Sequence, residues 1–220
     1  MQKTLFGLSL VLVLSVGCGG ESAPEGGSEA DESTPAATEP AEAPAVEPVA
    51  EEPSEPEITG PVTIVLETAK GTIEFETFPE EAPKTVERIL SLVQRGFYRG
   101  QRFHRVVPGF VIQIGDPKTR DMTQQDRWGR PPAGSGTPIG VAEISQKRNH
   151  THGAVAMAHA GDPTMADSQF YITMGPKPQL DGDYTVFGQV TSGLEIVDEI
   201  EVGDAIGNMY VKEEEGTEPQ

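Results

Sequence analysis

The sequence is short of three things. It holds one cysteine, Cys18, among 220 residues, so no intrachain disulfide framework is possible. Lys and Arg number 16 against 35 Asp and Glu, a balance that argues against nucleic acid as a partner. Long apolar runs are missing too. The longest, Leu5–Val16, covers about twelve residues, too few to cross a bilayer comfortably.

That run follows the basic Met1-Gln2-Lys3 and has the length of a signal-peptide core. It ends in Leu14-Ser15-Val16-Gly17-Cys18, which resembles a bacterial lipobox. The resemblance implies a signal peptide over residues 1–18, diacylation of Cys18 and anchoring to an envelope membrane, outer or cytoplasmic, facing the periplasm. An ordinary secretory signal with an incidental cysteine is the alternative. Residues 19–58 follow as a linker, whose Gly19–Glu57 stretch has 12 Asp or Glu, 7 Pro and neither a cation nor an aromatic. Such a stretch cannot bury enough apolar surface to offset the entropy of ordering it. It reads as a tether, or else as an acidic binding tail. Residues 213–220 form a second acidic tail, so most of the net charge of −19 lies outside the one domain expected over residues 59–212.

Within that domain the patterning is mostly that of strands. Val62–Glu67 alternates, Lys70-Gly71 turns the chain, and Thr72–Thr77 returns with Ile73 and Phe75 inward. Pro83 stands where a helix can start, Val86, Ile89, Leu90 and Val93 recur at helical spacing, and Gly96 ends the run. Asp116–Ser145 is a long, polar, Gly/Pro-rich loop, a type that is functional or disordered. Further strands are expected at Gly153–Ala158, Gln169–Thr173, Tyr184–Val190 and Ile206–Val211, with a short helix at Leu194–Ile200. Many short strands, two helices and no strand–helix–strand alternation point to a mainly antiparallel small barrel capped at its ends.

The centre of the chain is Phe103–Gly115, FHRVVPGFVIQIG, which reads as strand, Pro-Gly turn, strand. Alternation puts Phe103, Arg105 and Val107 on one face, and Val111 and Gln113 on one face of the return run. A guanidinium and an amide are costly inside a core, so this surface is either a working site or a plain exposed hairpin.

Four pieces in order resolve that choice. FHRVVPGFVIQIGD at Phe103–Asp116, AMAHAGDP at Ala156–Pro163, SQFYI at Ser168–Ile172 and LDGDYTVFGQV at Leu180–Val190 resemble the cyclophilin-type peptidyl-prolyl cis–trans isomerases. The likeness runs from about Val62 to Val211. It implies a closed eight-stranded antiparallel barrel with a helix over each end and a groove on its outer surface. It also implies that Arg105 is the catalytic arginine and that Phe110, Val111, Tyr171 and Leu180 form the proline pocket, with Tyr184 capping it. Gln113 falls on the glutamine that holds the substrate backbone, and Ala158, His159 and Gln169 on the groove for residues before proline. Three departures stand out: Gln179 where many members have Trp, Ile114 where a small residue is commoner, and Pro131–Gly136 in place of a glycine-richer run.

The remaining candidates read as structural. No Cys falls inside the domain and three convergent ligands are not evident, so neither metal nor cofactor is expected. His150 and His152 precede a strand and are expected to be solvated, His104 to be structural or to support Arg105, and Trp128 to anchor the long loop. The expected partners are proline-containing unfolded or folding polypeptides, met by a monomer. A non-catalytic proline-binding module or holdase could use the same groove, but it would not require Arg105.

Overall fold

The computed structural model describes residues 60–213; the expected signal peptide, Cys18 and the acidic linker lie outside them. The first two strands, β1 (Thr63–Thr68) and β2 (Gly71–Thr77), pair antiparallel with Ile64 opposite Phe75 and Leu66 opposite Ile73. All four side chains are fully buried, as the alternation requires. The hairpin closes through Thr68, whose Oγ1 accepts from the backbone N–H of Lys70 and Gly71 at 3.1 and 3.2 Å.

Helix α1 (Pro83–Gln94) buries Val86, Ile89, Leu90 and Val93, the stripe read from the sequence, and Thr85 and Leu92 besides. Ala82 has no side chain with which to cap it. The carboxylate of Glu143 does so from the long loop, accepting from the N–H groups of Lys84 and Thr85 at 2.9 and 2.8 Å. An anion at the positive end of the helix docks that loop onto it.

Six more strands follow: β3 (Arg105–Val107), β4 (Val111–Ile114), β5 (Ala154–Met157), β6 (Phe170–Thr173), β7 (Val186–Ser192) and β8 (Ile206–Val211). Helix α2 (Leu194–Glu199) lies between the last two. All pairings are antiparallel, in the order β3-β4-β6-β5-β7-β2-β1-β8. In a flat sheet β2 and β6 would stand about 14 Å apart, at ~4.8 Å per strand. The rings of Phe75 on β2 and Phe170 on β6 nevertheless meet at 6.1 Å, with Phe187 of β7 between them at 6.3 and 5.7 Å. The sheet is therefore curled around one core.

The strand ladders leave that curl open. β3 is only three residues long and pairs with β4 alone, so β3 and β8 are edges, where a closed barrel was expected. Phe103 and His104, read as strand, precede β3, and β7 begins at Val186 instead of Tyr184. The long loop contains two 3-10 stretches, Pro117–Arg120 and Met122–Arg127, each begun by an Asp side chain that accepts from a backbone N–H.

Candidate active site

Strand β4 divides the molecule into two faces. Ile112 and Ile114 enter the main core, while Val111 joins a second cluster with Ala154, Ala156, Tyr171 and Val186 on the outer face. Phe110, Ala158, Leu180 and Tyr184 pack against that second cluster. Gln113 shares the face of Val111, because side chains alternate along the strand.

Arg105 stands directly across the β3–β4 ladder from Gln113. Its Nη1 donates to Gln113 Oε1 at 3.3 Å, and its guanidinium lies 5.8 Å from the ring centre of Phe110. An arginine has only donors, so Gln113 must turn its oxygen to Arg105 and its NH2 away. That NH2 donates to Gln169 Oε1 at 3.0 Å, and Gln169 Nε2 in turn donates to the carbonyl of Ala133 in the long loop. The three side chains form a relay with a single polarity, fixed by the cation at one end. Arg105 remains exposed.

Beside the guanidinium is a cavity of about 280 Å³. Phe110, Val111, Ala158, Tyr171, Leu180 and Tyr184 supply its apolar walls, and Arg105, Gln113 and His159 its polar side. The structure thus brings together all but one of the groove residues expected from the sequence. The exception, Gln169, lines an adjoining hollow of about 610 Å³ that shares Gln113, Ala158 and His159 with the first. Gln179 is exposed on the Pro178–Leu180 turn, outside the residues that line the cavity. His159 Nε2 bonds to the carbonyl of Asp183 at 3.0 Å, and its ring sits 4.5 Å from that of Tyr184.

His150 is not the solvated turn residue expected. It is 2 % exposed, with Nδ1 at 2.7 Å from Asp181 Oδ1 and Nε2 at 2.9 Å from the Tyr171 hydroxyl. Its backbone N–H also donates to Asp181 Oδ1 at 2.7 Å, and its carbonyl accepts from Lys177 N–H at 2.7 Å. One residue therefore ties the 175–183 segment, which carries Leu180, to β6, which carries Tyr171. The N–H donors of His150, backbone then ring, hold the Asp181 carboxyl below its ordinary range. Burial, then the neighbouring Tyr184 and Asp181, pushes the Tyr171 phenol well up, so its hydroxyl keeps its proton. No local sequence signal marks His150, because Asp181 and Tyr171 lie 31 and 21 residues away.

His104 is structural. Both ring nitrogens are buried, with the Gln169 side chain beside them, and burial pushes its pKa down to about 4. It abuts Gly129, where a Cβ would come within 2.9 Å of the ring. Gly129 also has φ of +70°, so the loop needs glycine there twice over. Trp128 is 8 % exposed and donates from Nε1 to the Asp121 carbonyl at 3.3 Å, which makes it a packing anchor.

Comparison with known proteins agrees with this geometry. The family model described as cyclophilin type peptidyl-prolyl cis-trans isomerase/CLD matches residues 63–216. A probable peptidyl-prolyl cis-trans isomerase of Brucella abortus is 41% identical over 151 residues, covering 68% of this chain and 76% of that protein. Peptidyl-prolyl cis-trans isomerase B of Bacillus subtilis is 43% identical over 140 residues, 64% of this chain and 90% of its own. A solved cyclophilin-type isomerase from Cryptosporidium parvum superposes with a TM-score of 0.60 at 26% identity, over 70% of this chain and 99% of that one. The chain belongs to the cyclophilin-type peptidyl-prolyl cis–trans isomerases, and its activity is the acceleration of rotation about X–Pro peptide bonds.

Proposed function

We propose that Arg105 catalyses this rotation and that the cavity beside it receives the proline ring of an extended peptide. The observation that supports the reading is the placement of one exposed guanidinium at the mouth of an apolar cavity, on the same outer face. Rotation about an X–Pro bond is slow because the nitrogen lone pair is delocalised into the carbonyl, giving a barrier of about 18–20 kcal/mol. Midway, the nitrogen is pyramidal and has its lone pair back. Donors aimed at that nitrogen and at the proline's own carbonyl bind the twisted state more tightly than either planar isomer.

A guanidinium can address both acceptors with one planar fork. Gln113 takes Nη1 and leaves the remaining N–H groups to the peptide. Phe110, Val111, Tyr171 and Leu180 hold the ring under Tyr184, while Ala158, His159 and Gln169 face the residues before proline. The step makes and breaks no covalent bond other than the partial double bond itself. A Cryptosporidium parvum relative solved in the presence of the dipeptide Ala-Pro supports a proline-containing ligand for this groove.

The same reading takes the chain as a monomer held to an envelope membrane through lipidated Cys18, with residues 19–58 as tether, serving proteins that fold in the periplasm. It also takes the barrel as closed. The isolated bridge between Arg102 and Ala205, and the bonds of Gly100 and Phe103 N–H to the carbonyls of Ile206 and Asp204, support that closure. Mass spectrometry of the mature N-terminus should find diacylated Cys18; an unmodified Cys18, or cleavage elsewhere, contradicts the anchor. The mechanism is tested from the substrate side, with a peptide whose proline carbonyl is reduced to a methylene. Its turnover should fall about tenfold or more, the scale of a hydrogen bond from a charged donor; unchanged turnover contradicts it.

A further inference from the structure

Beyond the proline pocket lies a continuous run of hollows, and its far end is basic. The cavity beside Arg105 shares Gln113, Ala158 and His159 with the hollow of about 610 Å³, which in turn shares Pro131 and Pro132 with a third of about 470 Å³. Lys118, Arg127 and Arg130 line that third hollow with the carboxylate of Asp126, and the Lys118 ammonium also lies 3.8 Å from Asp116 Oδ2 and donates to the Arg130 carbonyl. This runs counter to the domain as a whole, where residues 60–213 hold 20 Asp or Glu and 15 Lys or Arg. Arg127 and Arg130 are exposed and have no ion-pair partner among the described residues.

The two carboxylates of the middle hollow are already engaged. Asp162 accepts from the N–H and Oγ1 of Thr164 at 2.9 and 2.7 Å. Asp167 accepts from Arg88 at 3.0 Å and from Gly136 N–H at 2.8 Å, and it bonds to Ser135. Arg88 offsets the charge of Asp167, whereas the Asp162 carboxylate, bonded only to Thr164 among the described residues, keeps its own, so one anion stands between the proline pocket and the three cations.

The loop that carries these cations is fixed in place. The fully buried carboxylate of Asp116 takes Lys118 N–H at 3.0 Å and Gly129 N–H at 2.7 Å, pinning both ends of the segment. Further along, Ala133 receives the last bond of the relay that begins at Arg105. The cations therefore keep a set position relative to the proline pocket, as selection of a bound peptide requires.

We propose that Lys118, Arg127 and Arg130 form an extended subsite that selects peptides bearing carboxylates a few residues from the proline, along the stretch that leaves the pocket past Ala158 and His159. The proposal rests on the reading of the pocket as the proline site. Its substrate class is acidic proline-containing segments.

The test uses the full chain and one proline core peptide, extended by four Glu, four Gln or four Lys, before or after the proline. At low ionic strength the Glu extension on one side should exceed Gln in kcat/KM by about fivefold to tenfold, the sum of two or three exposed ion pairs. In about 0.5–1 M salt, where screening acts within a few ångströms, that ratio should fall to within about twofold. The double variant Arg127→Glu, Arg130→Glu should reverse the order in favour of Lys. Equal rates for the three extensions on both sides, or a Glu preference that survives charge reversal, would overturn the subsite. Turnover of the unextended core by the wild type is read separately. With it present and the Glu:Gln ratio at one, the subsite alone is wrong; with it absent, the proline-site reading fails as well.

Discussion

Nε2 of His150 lies 2.9 Å from the Tyr171 hydroxyl, within hydrogen-bond distance. Its Nδ1 donates to the Asp181 carboxylate at 2.7 Å, since a carboxylate can only accept. An Asp–His–Tyr line through the buried His150 thereby sets the spacing of the two pocket walls that carry Leu180 and Tyr171.

Replacing His150 with Phe should raise KM for a proline tetrapeptide several-fold while kcat stays within about twofold. Looser walls weaken ground and twisted states alike. Unfolding stability should fall by about 1–3 kcal/mol, because Asp181 and Tyr171 lose a buried partner. Tyr171→Phe cuts the same bond from the other side, so the two changes together should cost less than their sum. Strict additivity would show that the bond does not couple the walls.

His104 makes stability depend on pH. Its folded pKa of about 4 lies below the ordinary 6.5, so the unfolded chain takes up this proton first. The neutral-state contribution is complete above about pH 6.5 and is lost as pH falls towards 4, by about 3 kcal/mol at most. Denaturant unfolding of wild type and His104→Phe across that range should show the wild type losing up to about 3 kcal/mol relative to the variant as the pH falls. A constant difference would mean that His104 does not titrate as a buried neutral group.

Gln113 should matter through its oxygen. Gln113→Leu removes the acceptor that orients Arg105 and should lower kcat/KM by about tenfold to a hundredfold, the scale of a hydrogen bond to a charged group. Gln113→Glu should do no better, since a carboxylate would hold the guanidinium and compete with the peptide. Wild-type turnover by the Leu variant would show that Gln113 does not orient the arginine.

Glu143 should be a stability residue without a part in turnover. Glu143→Ala leaves the first turn of α1 uncapped and should cost about 1 kcal/mol, read as a lower denaturation midpoint with an unchanged m-value. No shift in midpoint would mean that the loop carboxylate adds nothing to the helix.

What could be read in advance was whatever repeats locally. The period of two in Ile112, Gln113 and Ile114 separates core from groove, and the spacing of Val86, Ile89, Leu90 and Val93 locates α1. The groove residues were legible because they sit in four contiguous motifs. What escaped were bonds between polar groups far apart in the chain: Glu143 on the first turn of α1, His150 on Asp181, and Asp116 on Gly129. Periodicity carries no information about such pairs. A histidine in a polar turn has the same local sequence whether water or a distant carboxylate accepts its hydrogen bond. The short ladder of β3 was hidden for a related reason, since three β-forming residues do not reveal how far a ladder extends.

The most direct measurement is kcat/KM of Arg105→Ala and Arg105→Lys on a proline tetrapeptide, with thermal midpoints taken alongside. Arg105 is exposed and only its Nη1 is bonded, to Gln113, so both variants should fold with midpoints near that of the wild type. Alanine should lower kcat/KM on the order of 10² to 10³-fold. Lysine should recover little of it, because an ammonium lacks the planar fork that reaches two acceptors. An alanine variant that melts like the wild type and keeps near-normal kcat/KM would contradict the assignment of Arg105 as the group that stabilises the twisted bond.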